Sequence, residues 1–117
     1  MDYKFSLDPY GQKDMTFKFY GIEIDSLTDE TWALNGINWW GWTVEEIQKI
    51  IDKSMSLVDN QNYEYQVEGS DLILYIKRER VCFYDMRSEQ EEADLIWSFE
   101  QFIDFMEQFK AFVAENG

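Results

Sequence analysis

The chain has 117 residues, 45% of them hydrophobic and 18% aromatic, with a net charge of −14. That length fits one domain over residues 1–117 with a real core, and so much apolar surface excludes a disordered acidic tail. With no histidine and one cysteine, Cys82, the composition excludes Ser-His-Asp and Cys-His catalysis, the H-E-x-x-H zinc site and an internal disulfide.

At the N-terminus, Tyr3, Phe5 and Leu7 alternate with polar neighbours, as do Met15, Phe17 and Phe19. This is the period-2 signature of half-buried strands. Asp8, Pro9, Tyr10 and Gly11 supply turn chemistry between them, so an N-terminal hairpin is predicted. Gly21, just before Ile22 and Ile24, suggests a bulge or bend. Residues 25–42 are irregular. Ser26 or Thr28 can cap a short helix through Trp32 and Leu34, which Asn35-Gly36 would stop. Thr43-Val-Glu-Glu46 then has capping-box spacing, and Ile47, Ile50, Ile51, Met55 and Val58 follow at helical intervals, predicting a helix over 43–58.

Tyr63, Tyr65 and Val67 alternate, and Glu68 to Asp71 turn the chain. Leu72 to Ile76 and Arg80 to Tyr84 read as two further strands joined by a short charged turn. The stretch from Asp85 to Asp94 has no apolar period and reads as an acidic loop or a frayed helix start. Ser98 opens a second capping pattern. Behind it Phe99, Phe102, Ile103, Met106, Phe109 and Val113 share one face of a helix over 98–115, widened by Phe105 and Phe112. The expected architecture is α+β: one antiparallel sheet of about five strands packed against these two helices.

The charge is unevenly placed. Between Lys18 and Lys49 stand Glu23, Asp25, Asp29, Glu30, Glu45 and Glu46 with no base. From Asp85 to Glu107 eight acids, among them Glu89, Glu91, Glu92 and Asp94, face only Arg87. Such a field repels nucleic acid and anionic membranes and attracts cationic proteins, although acidic residues also serve solubility alone. Neither acidic run has the calcium-loop pattern, and no glycine-rich phosphate loop is present, so neither metal nor cofactor is expected. Carboxylate catalysis is the remaining enzymatic option, and a non-enzyme is the stronger reading. Cys82, between Val81 and Phe83, reads as a packing residue. No basic leader followed by an apolar run is apparent and no apolar run approaches a membrane span, so the expected location is cytoplasmic.

Trp32, Trp39, Trp40 and Trp42 cluster inside the first acidic window. Core packing is the ordinary fate of large aromatics, but the adjacent pair Trp39-Trp40 is not expected to point inward together. A tryptophan ringed by carboxylates has the composition of an interface hot spot. The expected partner-binding residues are therefore Asp25, Asp29, Glu30, Trp39, Trp40, Glu89, Glu91, Glu92 and Asp94.

Met1-Asp2-Tyr3-Lys4-Phe5 with Leu7-Asp8 and Gly11, Tyr63-Glu64-Tyr65 leading to Glu68-Gly69, and Phe99-Glu100-Gln101-Phe102 through Phe112-Val113 resemble the YacL family of small acidic bacterial proteins. The stretch from Trp32 to Trp42 departs from that pattern. In size, charge and lack of catalytic apparatus the chain is also similar to the immunity proteins of contact-dependent growth inhibition. That similarity implies an inhibitor that covers the active site of a basic toxin domain, a nuclease being the best fit. The alternatives are an acidic DNA mimic that blocks a DNA-binding protein and a YacL-like protein of unknown role.

Overall fold

The computed structural model describes residues 3–7, 20–24, 33–39, 41–58, 60–67, 72–85, 93 and 95–116. It is an α+β fold with two antiparallel sheets and two main helices. Strands β1 (Tyr3–Ser6) and β2 (Gly21–Ile24) form a two-stranded sheet. A 3-10 turn at Asn35–Ile37 precedes helix α1 (Val44–Met55). Strands β3 (Tyr63–Gln66), β4 (Leu72–Ile76), β5 (Val81–Asp85) and β6 (Leu95–Trp97) form a four-stranded sheet in sequence order. Helix α2 (Phe99–Asn116) closes the fold. No helix among the described residues is long and apolar enough to cross a membrane.

Both helices start where local chemistry dictates. The Thr43 hydroxyl accepts from the Glu46 N–H at 3.1 Å, and the Ser98 hydroxyl accepts from the Gln101 N–H at 3.1 Å, each satisfying a donor the helix leaves orphaned. Helix α1 ends at Met55, earlier than the apolar spacing suggests. Its last turn closes on Ser56, whose N–H donates to Asp52 O, and Asn60 turns the chain with φ of 70°. Val58 and Met55 are consequently exposed at 62% and 52%, not core residues. Ser54 takes the buried position in the last turn, its hydroxyl donating to Ile50 O at 2.7 Å.

The single five-stranded sheet is corrected to sheets of two and four strands. β1 pairs with Gly21–Ile24, Phe5 standing opposite Ile22, and the expected turn at 8–11 and strand at 15–19 lie outside the described residues. The two-stranded sheet does not extend the larger one because its aromatic face packs on α2 instead. Phe5 stacks on Phe109 with ring centroids 5.6 Å apart and planes at 6°, and it also meets Phe112 at 5.5 Å. On the four-stranded side, Trp97 meets Phe105 at 5.3 Å and Phe83 meets Phe102 edge-on at 6.3 Å. The three-residue strand β6 lies between the acidic segment and the Ser98 cap, and it is too short to show a period of its own. Among the described residues no buried side-chain nitrogen or oxygen lacks a partner.

Gly21 has a different role from a bulge, since the register runs unbroken from Ser6–Gly21 to Tyr3–Ile24. The buried Asn38 reaches across it, and its Oδ1 accepts from the Ile22 N–H at 2.7 Å. A Cβ at position 21 would stand 1.8 Å from that oxygen. Gly21→Ala and Asn38→Ala should each lower stability by about 1–3 kcal/mol, the first by steric overlap and the second by stranding a buried N–H. The double variant should lose less than the sum, because removing the Asn38 amide also removes the nearest clash. Denaturant midpoints of the three variants check this, and strict additivity would refute the coupling.

Tyr3 supplies a pH signature. Burial, and then the Asp104 carboxylate, raise its phenol above the ordinary value of 10.0. The folded state thus favours the neutral phenol. That contribution is complete below pH 10.0 and is lost as pH rises through the raised value. Tyr3→Phe should lessen the alkaline fall in stability, measured as unfolding midpoints from pH 8 upward.

Candidate protein-binding surface

Among the described residues, the helices and the small sheet pack on one face of the four-stranded sheet. Leu72, Leu74, Ile76, Val81, Phe83, Leu95 and Trp97 point into the core. The alternation that buries them turns Ile73, Tyr75, Cys82, Tyr84 and Ile96 outward. The register lines Glu64, Tyr75, Cys82 and Ile96 in one row and Gln66, Ile73 and Tyr84 in the next. Tyr75 and Tyr84, diagonal neighbours, meet edge-on at 5.1 Å with planes 80° apart. Ile96 is 55% exposed, and the other four are half-buried. A half-solvated antiparallel sheet normally turns polar residues to water; here two central strands are apolar on both faces.

Charge differs between the ends of this face. At one end, Lys77, Arg78, Glu79 and Arg80 form the β4–β5 turn, closed by the Lys77 N–H on Arg80 O at 3.0 Å. Arg78 is held over the Phe99 ring at 4.8 Å. Beside it opens a cleft of about 400 Å³ lined by Val58, Asn60, Gln61, Lys77, Arg78 and Glu79. At the other end stand Val67, Leu72 and Asp85.

Of the nine expected partner-binding residues, only Trp39 falls within the described part; Asp25, Asp29, Glu30, Trp40, Glu89, Glu91, Glu92 and Asp94 lie outside it. Trp39 is half-buried. Its backbone is pinned by two hydrogen bonds to Tyr20, at 2.9 and 3.0 Å, and its ring meets Trp42 edge-on at 5.3 Å. Trp42 itself is core, its indole N–H donating to Ile37 O at 2.7 Å. Much of the Trp39 surface is therefore committed within the chain. Cys82 takes the outward of the two orientations open to it in a strand. Attention to charge passes over Ile73, Tyr75, Tyr84 and Ile96. The signal that finds them is the doubly apolar character of Leu72–Ile76 and Val81–Asp85.

Among the described residues no three His, Cys, Asp or Glu side chains are grouped to hold a metal ion. No protein-family model, curated protein or solved structure matches this chain. What the outward side of these strands offers is a flat aromatic platform, which suits contact with another macromolecule.

The two aromatic positions should separate in their effect on folding. Trp39→Ala should cost about 1.5–3 kcal/mol, since it removes packing on Trp42. Tyr84→Ala should cost about 0.5–1.5 kcal/mol, its main loss being the edge-on tyrosine pair. Thermal or urea unfolding of both variants checks the order; a larger loss for Tyr84 would show that the outer face contributes more to folding than Trp39 does.

Proposed function

We propose that the protein is an immunity-type inhibitor that binds a basic toxin domain, a nuclease being the best fit, and covers its active or substrate-binding site. The carrying observation is the net charge of −14, concentrated in two acidic stretches. A nuclease keeps cations where it holds phosphate, and carboxylates at Asp25, Asp29 and Glu30 or at Glu89, Glu91, Glu92 and Asp94 would occupy those cations in place of substrate. The same field opposes binding to nucleic acid or to an anionic membrane. Trp39 and Trp40 would add apolar contact at the first stretch. An inhibitor of this kind acts by occupancy, so it needs no catalytic group, metal or cofactor, and its place of action is the cytoplasm where such a toxin arrives.

Long-range charge governs encounter and is screened beyond about 8 Å at physiological salt. Replacing Glu91, Glu92 and Asp94 together by Lys should slow capture of a basic toxin domain about tenfold or more at low salt and flatten its salt dependence. Stopped-flow association across ionic strength is the measurement, with circular dichroism as the control for folding. Equal association rates for the wild type and the reversed variant would reduce the acidity to solvation and remove the main support for an inhibitor.

A further inference from the structure

We infer that Met55 is an oxidation site whose sulfoxide is received by Arg78, so that a peroxide fastens the end of helix α1 to the β4–β5 turn. The apolar spacing of α1 runs on to Met55, yet its side chain is 52% exposed because the helix stops there. Met106, by contrast, is fully buried in α2. Met1, Met15 and Met86 lie outside the described residues. The Met55 sulfur stands 3.9 Å from an Arg78 Nη, which donates to it. The Arg78 guanidinium also lies over the Phe99 ring, 4.8 Å from its centroid. A sulfur and a ring are weak partners for a cation, but together they fix where the planar fork lies.

The distance itself points to the oxidised product. A thioether is a poor acceptor, and 3.9 Å lies beyond the reach of an N–H···O bond. A bent path through one S–O bond fills the difference. An oxygen added to the sulfur on the side of Arg78 therefore comes within about 2.8 Å of the same nitrogen. There it sets partial negative charge against a full positive one, which strengthens the bond. The donor is already in place, so little further freedom is lost on forming it. The neighbouring cleft is lined by Val58, Asn60 and Gln61 from the chain after α1 and by Lys77, Arg78 and Glu79 from the turn. A bond between residues 55 and 78 ties those two segments together.

The fitting oxidant is neutral hydrogen peroxide, because a net charge of −14 opposes anionic oxidants and leaves a neutral one unaffected. The sulfur lone pair attacks one peroxide oxygen, and the S–O bond forms as the O–O bond breaks. The transferred hydroxyl passes its proton to the departing hydroxide, which leaves as water. Sulfur loses two electrons and the peroxide gains them. Methionine sulfoxide reductases restore the thioether, so the latch is reversible.

The test treats the purified protein with hydrogen peroxide, maps oxidation by peptide mass, and measures urea unfolding before oxidation, after it and after reduction by the reductases. Met55 should gain oxygen at least tenfold faster than Met106. On oxidation, the folded-to-unfolded ratio should change about threefold more favourably in the wild type than in Met55→Leu, which keeps Cys82 and every other methionine. Reduction should erase that difference. In Arg78→Ala, a change at an exposed turn position, the advantage over the matching Met55→Leu double variant should vanish. Met55→Gln, whose amide oxygen imitates the sulfoxide, should gain on Met55→Leu only while Arg78 is present, a comparison that needs no oxidant. Oxidation of Met55 as slow as that of Met106 would overturn the inference. So would an equal or less favourable response of the wild type than of Met55→Leu, or an advantage that survives in Arg78→Ala.

Discussion

The stacking of Phe5 on Phe109 holds the two parts of this fold together. Helix α2 is apolar over a wide arc, so it is buried on two sides at once. Phe102 and Phe105 face Phe83 and Trp97 of the larger sheet, while Phe105, Phe109 and Phe112 receive Tyr3 and Phe5 from the smaller one. Trp42 closes the same cluster, meeting Phe109 edge-on at 5.5 Å and Tyr65 at 6.1 Å. Helix α1 adds a polar tie, the Lys110 ammonium donating to Gln48 Oε1 at 2.6 Å. An aromatic helix with two sheets to satisfy leaves no described element for the far side of the four-stranded sheet. Among the described residues, that face is left open by how the core closes.

Charge and core have separate tasks in such a molecule. Most of the described carboxylates stand on exposed positions, and the ion pairs among them are short-range helix contacts such as Lys49 with Glu46 and Lys110 with Glu107. Pairs of that kind add little to stability. With a surplus of acids over bases, the field extends outward instead of being neutralised internally. A surface of this type discriminates by sign before contact and by shape after it.

The helices were legible in the sequence because their determinants are local. Thr43 and Ser98 each cap the backbone three residues on, and the apolar spacing behind them needs no distant partner. Strands 63–66, 72–76 and 81–85 were legible for the same reason. What escaped depends on contacts far apart in sequence. The pairing of β1 with Gly21–Ile24 turns on the Asn38 amide and the packing of Phe5, neither visible in an alternating pattern. The division into two sheets follows from the Phe5–Phe109 contact. At the candidate site, the acidic windows are obvious in composition, yet the doubly apolar strands LILYI and VCFYD were the geometric clue.

The pairing of β1 with α2 ties the earliest described strand to the last helix, and the Tyr20 hydroxyl donates to Asn116 O at 3.5 Å across nearly the whole sequence. Contacts of such separation form late, because the closure entropy of the intervening chain precedes any gain from packing. During synthesis, at roughly 5–20 residues per second, Tyr3 and Phe5 wait on the order of ten seconds for Phe105 and Phe109 to be made. A nascent chain in that interval exposes its aromatic strand to every other protein nearby. Chaperone demand should therefore fall on the ribosome-bound chain rather than on the finished protein, and shortening the C-terminal helix should prolong that dependence.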